Sequence, residues 1–445
     1  MLPPDTIAAI STPPGRGGIG VVRLSGSLAR TIAESLCRLR HALGPSQARF
    51  AHILDDSGTV LDEAVVTFFA APHSYTSEDV VEISAHGAPV LLEAILRRAI
   101  AAGARLADPG EFTQRAFLSG RLDLTQAEAV HDLIAAQTLE QARLAAAQLG
   151  GSLARTIAPI KQQLLHLIAA MEAGVDFAED DLDLLPQPEI LTRISAIEAP
   201  LRALAATYTY GRILREGFTL AIVGRPNAGK SSLFNRLLVR DRAIVTAQPG
   251  TTRDPISERL SLHGIPVELI DTAGLRATPE GEAEQQGILR SRTTMAEADL
   301  VLLVLDATAP NHPEDAAILA TLTSRPHLVV LNKIDLTPAQ VTPHLATSTL
   351  TGEGLPALQS AIVATLTSTP PAADTPLLTN LRQHQAITEA LSATVRAATA
   401  ARQSLPHEFL LLDLHAVLEA LDRLTGATTP DDILALIFST FCIGK

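Results

Sequence analysis

Three groups of residues in the second half of the chain have the types and spacing that hold a nucleotide: Gly224-Arg225-Pro226-Asn227-Ala228-Gly229-Lys230-Ser231, Asp271-Thr272-Ala273-Gly274 and Asn332-Lys333-Ile334-Asp335. The first carries two glycines at the separation that lets backbone N–H groups wrap a phosphate. Its setting is also right. The apolar run Phe218 to Val223 reads as a buried strand, and Ser232 to Leu238 as a helix whose positive end faces the anion. Lys230 is placed to meet the β and γ phosphates, and the Ser231 hydroxyl to sit on Mg²⁺. Taken alone, this spacing also fits an ordinary glycine-rich turn. The companions decide against that. Val267 to Ile270 is a second apolar strand, bringing Asp271 towards the waters around Mg²⁺ and Gly274 towards the γ-phosphate. Leu328 to Leu331 is a third, ending at Asn332. A carboxylate at Asp335 accepts both the ring N–H and the exocyclic amine of guanine, whereas adenine would leave it buried and unpaired. Together the motifs point to guanine-nucleotide hydrolysis. Ser348-Thr349-Leu350 stands where such enzymes place a Ser-Ala-Lys-like loop against the base, a match of position more than of residue type.

These motifs need a scaffold, and they occupy only part of one. A chain of 445 residues is too long for one ordinary core, so two or three domains are expected. The net charge is −13, only 3% of residues are aromatic and Trp is absent, which argues against a broad basic, aromatic-studded nucleic-acid surface. Any RNA is then met by a local patch or through a partner. Cys37 and Cys442 make neither a disulfide framework nor a metal quartet, so a reducing, cytoplasmic setting is expected. No apolar run approaches the length of a membrane span, and the N-terminus lacks a basic region followed by an apolar core.

The first 120 or so residues mix strand-like runs (Ile19 to Leu24, Ala64 to Phe69, Val80 to Ile83) with a helical one (Val90 to Ala101), which reads as a compact α+β domain. From Thr125 the texture changes to long Ala- and Leu-rich helices. Leu153, Ile157, Ile160, Leu164, Leu167 and Met171 form a seam at alternating spacings of four and three, and Leu410, Leu414, Val417, Leu421 and Leu424 form another. The expected organisation is multidomain: an α+β domain over 1–120, an α-helical domain over 121–211 plus 377–445, and an inserted α/β P-loop (Ras-like) GTPase domain over 212–376. The insert's edges are Gly211 to Gly217 and the proline-rich stretch Thr369 to Pro376. A last helix starts with Thr429 as cap, Pro430 in the first turn, and Asp431 and Asp432 complementing the dipole.

Over essentially its whole length the chain resembles the MnmE (TrmE) tRNA-modification GTPases. Beyond the nucleotide motifs, the resemblance rests on Thr12-Pro13-Pro14-Gly15-Arg16-Gly17-Gly18-Ile19-Gly20, Pro109-Gly110-Glu111-Phe112-Thr113-Gln114-Arg115-Ala116-Phe117, Leu122-Asp123-Leu124-Thr125-Gln126-Ala127-Glu128-Ala129 and the final Cys442-Ile443-Gly444-Lys445. It implies that the N-terminal domain binds a tetrahydrofolate derivative (5-formyl or 5,10-methylene) and forms a homodimer. It also implies a FAD-dependent partner, MnmG (GidA), in a heterotetramer or larger complex, acting on the wobble uridine (U34) of certain tRNAs to add an aminomethyl or carboxymethylaminomethyl group at C5. Carried over residue by residue, the folate site looks like Arg23, Glu82, Arg121 and Lys445. At position 121 the family commonly shows Lys; Arg keeps the charge and changes the geometry. A carboxylate such as Glu82 suits the amide-and-amine edge of a pterin, and cations suit a glutamate tail. Read without the family, each of these four is a solvated surface charge.

Phosphoryl transfer is mostly positioning and charge neutralisation. Leu275 follows the Asp-x-x-Gly motif where Ras-like enzymes place a water-orienting glutamine, and no arginine finger is evident. The resemblance implies replacements. Asn227, with Thr246, Gln248 and Thr251, would hold K⁺, a cation doing the work of an arginine finger that elsewhere contributes about 10³ to 10⁵ in rate. Thr252 would be the second protein ligand to Mg²⁺ after Ser231, and Ala228, Ser232, Ala247, Pro249 and Gly250 complete the nucleotide's surroundings. Glu284 matches the family's water-positioning glutamate, with Glu280 and Glu282 as competing neighbours; otherwise all three are exposed helix charges. Two such domains then face each other when GTP and K⁺ are bound.

Gly15-Arg16-Gly17-Gly18-Ile19-Gly20 satisfies G-x-G-x-x-G, yet it follows Pro13-Pro14 and enters a strand, whereas dinucleotide binding needs strand, turn, then helix. The glycines read as a turn opening a strand. Cys442 is either a small buried hydrophobe or, from the family tail motif, a reactive thiol beside the folate. Two other functions remain open from the residues. A ribosome-assembly GTPase of the Era or EngA kind would need a basic RNA-binding domain or a second GTPase copy, neither of which is visible. A folate-dependent one-carbon transferase with a regulatory GTPase differs only in which polypeptide performs each step.

Overall fold

The structure, a computed structural model, describes residues 5–176, 185–241, 257–271, 298–310, 312–323, 325–337, 344–367, 372, 375–427, 434 and 437–444. These fall into two compact units, Met1–His131 with Gln148–Ala158 and Glu419–Lys445, and Asp132–Ala147 with Pro159–Leu418.

The first unit is built on a seven-stranded sheet of β1 (Ile7–Ile10), β2 (Gly17–Ser25), β3 (Cys37–Leu39), β4 (Gln47–Leu54), β5 (Val60–Phe69), β6 (Val80–Gly87) and β7 (Arg105–Leu106). Their order is β3-β4-β5-β6-β2-β1-β7. Only the short β1–β7 pairing is parallel. Side chains alternate between faces; one face is covered by helices, and the other is covered at β1 but exposed on β4 and β5, where Phe50 and Val65 face solvent. Val22, Leu24, Val66, Phe68, Val81 and Ile83 pack beneath α1 (Ala29–Leu36) and α2 (Pro89–Ala101), which contribute Ile32, Leu36, Leu92 and Ile95. Within β1, Ala8 joins that core, while its neighbours Ile7 and Ala9 turn to a second cluster with Ala107 and Phe112 from the start of α3 (Glu111–Leu118). Leu124 and Ala127 of α4 (Leu124–Ala135) complete the unit by packing on Leu434, Phe438 and Phe441. The expected strands and helix are all present. The cap proposed at Thr429 to Asp432 lies outside the described residues.

The second unit contains a six-stranded sheet of β8 (Phe218–Val223), β9 (Ser257–Leu262), β10 (Ile265–Asp271), β11 (Leu300–Asp306), β12 (His327–Asn332) and β13 (Leu345–Ala346), ordered β13-β12-β11-β8-β10-β9. All neighbours are parallel except the β9–β10 hairpin. Parallel central strands are covered on both faces, so they must be apolar throughout, and Leu300 to Val304 are fully buried. Their carboxyl ends share one edge, where α/β sheets bind ligands. From that edge α9 (Lys230–Asp241), α10 (Pro313–Thr321) and α11 (Leu355–Leu366) return along the sheet.

Helices of the same unit include α7 (Gln187–Ala206), α8 (Tyr208–Glu216) and α12 (Leu381–Arg402). Ala386, Ala390, Ala393 and Ala397 line the buried side of α12, small enough for close packing against α7, whose Ile190, Ile194, Ile197 and Leu201 are buried. The segment read as a boundary at Gly211 is helical through Glu216; a β-carbon at Gly211 would come within 2.2 Å of the Leu378 carbonyl oxygen. Its glycine reflects contact, not a break. Both leucine-rich seams are buried as expected, on α6 (Ser152–Asp176) and α13 (His407–Thr425).

The hairpin turn is gripped by residues around the start of α5 (Leu139–Leu149). Thr138 Oγ1 donates to the Gly264 carbonyl at 2.6 Å, Gln141 Nε2 donates to the Arg215 carbonyl at 2.6 Å, and Arg215 Nε pairs with Asp132 at 2.8 Å.

Candidate functional site

The strand-to-helix turn after β8 has the shape of a phosphate cradle. Asn227 and Gly229 both adopt left-handed backbone, with φ of +64° and +94°. At Gly229 no other residue fits: a β-carbon would lie 2.2 Å from Asn332 Nδ2. Lys230, buried at the first turn of α9, donates through Nζ to the Arg225 carbonyl at 2.8 Å, so its charge lies over the loop. Ser231 and Ser232 follow on the same turn, and Ala228 is fully buried beneath it. Asp271 ends β10 alongside Ile222 of β8, placing the first residue of the second motif at the same sheet edge.

The base motif is fixed to this loop through side chains. Asn332, fully buried, donates from Nδ2 to the Ala228 carbonyl at 3.1 Å and accepts the Thr349 N–H at 3.3 Å. Ser348 Oγ donates to Asp335 Oδ1 at 2.6 Å and accepts the Thr351 N–H at 3.1 Å. It thereby aims the carboxylate that would read guanine. Leu350, the third residue of the partial Ser-Ala-Lys match, is 77% exposed. Lys333 Nζ donates to Asp306 Oδ2 at 2.7 Å, and Asp306 also accepts Thr308 N–H and Oγ1 at 2.9 and 2.6 Å. Burial alone would raise the Asp306 pKa, but the hydrogen bonds from Lys333 and Thr308 outweigh it and bring it down to about 2.

A second cluster lies in the first unit. Arg23 on β2 stands opposite Glu82 on β6, and its Nε and Nη2 both donate to Glu82 Oε1 at 2.9 and 2.8 Å. The Arg23 guanidinium lies 5.6 Å from the ring centres of both Tyr75 and Phe112, and that of Arg121 lies 5.7 Å from Tyr75. The tail of the chain reaches the same place. Ile443 bridges to Pro109, and the Gly444 carbonyl accepts from Ser11 Oγ at 3.1 Å and Arg23 Nη1 at 3.4 Å. Gly444 has φ +95°, and a β-carbon there would meet the Ile10 carbonyl oxygen at 2.5 Å. A carboxylate, guanidinium cations and aromatic faces side by side suit a flat heterocycle carrying an amide edge and an acidic tail.

Beneath this cluster is a buried ionic network. Arg115, 1% exposed, donates to Asp5 Oδ1 at 2.7 Å, Glu111 Oε1 at 2.9 Å and both Glu78 oxygens at 3.2 Å. Arg105 adds bonds to Asp5 at 2.8 Å and Glu111 at 2.7 Å. Burial would raise the Glu111 and Asp5 carboxyls, yet hydrogen bonds and charges from the two arginines hold both below the usual range. The next residues of α3 use this anchor: Phe112 faces Arg23, and Thr113 bonds the Tyr75 hydroxyl at 2.9 Å.

Two family models cover nearly all of the chain: residues 6–121 match that described as GTP-binding protein TrmE N-terminus, and residues 124–442 match the MnmE helical domain. The chain belongs to the MnmE family.

Full-length relatives agree with this. The chain is 54% identical to the tRNA modification GTPase MnmE of Koribacter versatilis, with 99% of each chain covered. It is 44% identical to that of Roseiflexus sp. strain RS-1 with both chains fully covered, and 41% identical to that of Aquifex aeolicus over 99% of this chain and 100% of the relative. Like them, it is a GTP hydrolase involved in tRNA modification. As an MnmE family member it brings Asn227, Ala228, Gly229, Lys230, Ser231 and Ser232 to one sheet edge with Asn332, Lys333, Asp335, Ser348 and Thr349, and it brings Arg23, Glu82 and Arg121 together around Tyr75. Thr246 to Thr252, Thr272 to Gly274, Glu280, Glu282, Glu284 and Lys445 lie outside the described residues. The Cys442 side chain is exposed, which removes the reading of it as a small buried hydrophobe. Cys37 is the buried cysteine, its thiol pushed up to about 12 by loss of solvent.

The sequence reading missed Asp306, Tyr75, Ser11 and the Arg115 network. Glu111 and Arg115, four residues apart on α3, were the one local signal of that network.

Proposed function

We propose that this GTPase acts on the wobble uridine (U34) of certain tRNAs, adding an aminomethyl or carboxymethylaminomethyl group at C5 together with a FAD-dependent MnmG partner. The domains are then 1–120 for tetrahydrofolate binding and homodimerisation, 121–211 plus 377–445 for the helical part, and 212–376 for the inserted nucleotide domain. One contact carries the reading. The Gly444 carbonyl rests on Arg23 and Ser11 next to Glu82, joining two widely separated stretches of the resemblance at one candidate ligand site.

In that site Glu82 and Arg23 present a paired acceptor and donor, Tyr75 and Phe112 supply flat walls, and Arg121 with Lys445 attracts an acidic tail. A bound tetrahydrofolate derivative, 5-formyl or 5,10-methylene, supplies the one-carbon unit. In the nucleotide site Lys230 neutralises phosphate charge and Asp335, held by Ser348, selects guanine. Ser231 stands one residue beyond Lys230, suited with Thr252 to hold Mg²⁺. Asn227, exposed at the loop's tip in left-handed backbone, offers its amide oxygen for K⁺ alongside Thr246, Gln248 and Thr251. Glu284 would orient the attacking water, and K⁺ held by these residues would supply positive charge at the phosphates where two nucleotide domains face each other. Among the described residues no helix is long and apolar enough to cross a membrane.

Mass spectrometry of tRNA from cells lacking the protein tests this. The C5 group at the wobble uridine should disappear, return with the wild-type chain and stay absent with Arg23→Gln. Unchanged wobble uridine in the depleted cells would refute the proposal.

A further inference from the structure

Asp306 ends β11, a strand that carries none of the three nucleotide motifs, yet it joins two of them. Its Oδ2 takes the Lys333 ammonium at 2.7 Å, its Oδ1 takes both Thr308 groups, and the Arg225 guanidinium of the phosphate loop lies 4.0 Å away. Arg225 in turn faces Asp315 at 3.3 Å and donates to the Ala309 carbonyl at 3.3 Å. Charges therefore alternate from base loop to phosphate loop: Lys333, Asp306, Arg225, Asp315. This line runs beside the neutral link from Asn332 to Ala228.

Lys333 holds left-handed backbone with φ +67°, a conformation that a lysine keeps only when its surroundings impose it. Directly after it comes the 3-10 turn Ile334–Leu336, which carries Asp335. The backbone angle at Lys333 sets where the Asp335 carboxylate points, and the bond to Asp306 is what holds the Lys333 side chain. The neutral link fixes Asn332 but lies ahead of that angle.

We propose that Asp306 is a positioning residue for guanine recognition, tying Lys333 and the phosphate loop so that the base and phosphate sites are in mutual register before the nucleotide arrives. This rests on reading Asp335 as the group that meets the base. Asp306 stays ionised at any physiological pH, and at 7% exposure its end of the tie is shielded from solvent.

The test uses the full chain with fluorescent GDP and with the corresponding inosine diphosphate, which lacks the exocyclic amine. Asp306→Asn should release GDP about ten- to a hundredfold faster, the range carried by a hydrogen bond to a charged group, and should narrow the preference for GDP over inosine diphosphate. Lys333→Met removes the same tie from a partly exposed side chain and should do likewise, even if the Asp306 variant folds poorly. The double variant should be no worse than the more damaged single one. A merely structural Asp306 would lower the melting temperature and leave the base preference unmoved. Wild-type release rates and preference in Asp306→Asn and Lys333→Met would overturn the proposal. A wild-type chain that binds both diphosphates equally would instead refute the role of Asp335.

Discussion

Replacing Gly229 by alanine should disable nucleotide binding through one displaced amide. The new methyl would sit 2.2 Å from Asn332 Nδ2, and Asn332 is fully buried with its amide engaged by Ala228 at 3.1 Å and Thr349 at 3.3 Å. Two costs add. Left-handed backbone costs an L-residue about 1–2 kcal/mol, and a buried amide stripped of its partner costs about 1–3 kcal/mol. The free loop escapes this sum, roughly 2–5 kcal/mol, by leaving the cradle conformation, and GDP binding must then restore it, which lowers affinity by about thirtyfold to a few thousandfold at about 1.4 kcal/mol per decade. Titration calorimetry with GDP on the full chain reads this directly. Gly229→Ala combined with Asn332→Ala should lose little more than Gly229→Ala alone, because the second change deletes a group already displaced. A dissociation constant within about threefold of wild type would refute the reasoning, since the clash would then be absorbed without moving Asn332.

Ser348→Ala removes the 2.6 Å bond that aims Asp335, and should raise the KM for GTP about tenfold while leaving kcat near wild type; an equal fall in kcat in steady-state assays would assign Ser348 to the chemical step instead. Asp5 and Glu111 titrate below the usual carboxyl range when folded, so their contribution to stability is present above the unfolded values of about 4 and is lost as pH falls through the folded ones. Melting of the first unit, followed by circular dichroism, should therefore steepen in acid below about pH 4. Arg115→Met should remove much of that dependence and cost about 3–5 kcal/mol at neutral pH; an unchanged melting profile would show that the network contributes nothing to the fold.

Much of the nucleotide domain was legible in the residues because its strands are buried on both faces and read as unbroken apolar runs ending in motifs. The strand from Leu300 to Asp306 is more apolar than any of those and was passed over, since no nucleotide motif marks its end. β9 was also missed: as an edge strand it buries only alternate residues such as Leu260 and Leu262, and its polar half hides the pattern. Ser348 was legible by position and Leu350 by position alone; the hydroxyl has a partner, and the leucine faces solvent. The Arg115 network stayed hidden because Asp5, Glu78, Arg105 and Arg115 meet only through the fold, and each alone looks like an ordinary surface charge. Arg23 and Glu82 came from resemblance; their cross-strand register supplies the physical reason that the resemblance lacked.

The β9–β10 hairpin occupies the stretch of chain between the two segments expected to sense the γ-phosphate, residues 242–256 and 272–297. Its far end is held at Gly264 by Thr138, just ahead of α5 and some eighty positions before the nucleotide motifs, while Gln141 and Asp132 hold Arg215 of α8 beside it. A ribbon fastened at its turn behaves as a connecting rod. A displacement at the nucleotide end that travels along the ribbon would therefore meet the start of α5 at Thr138.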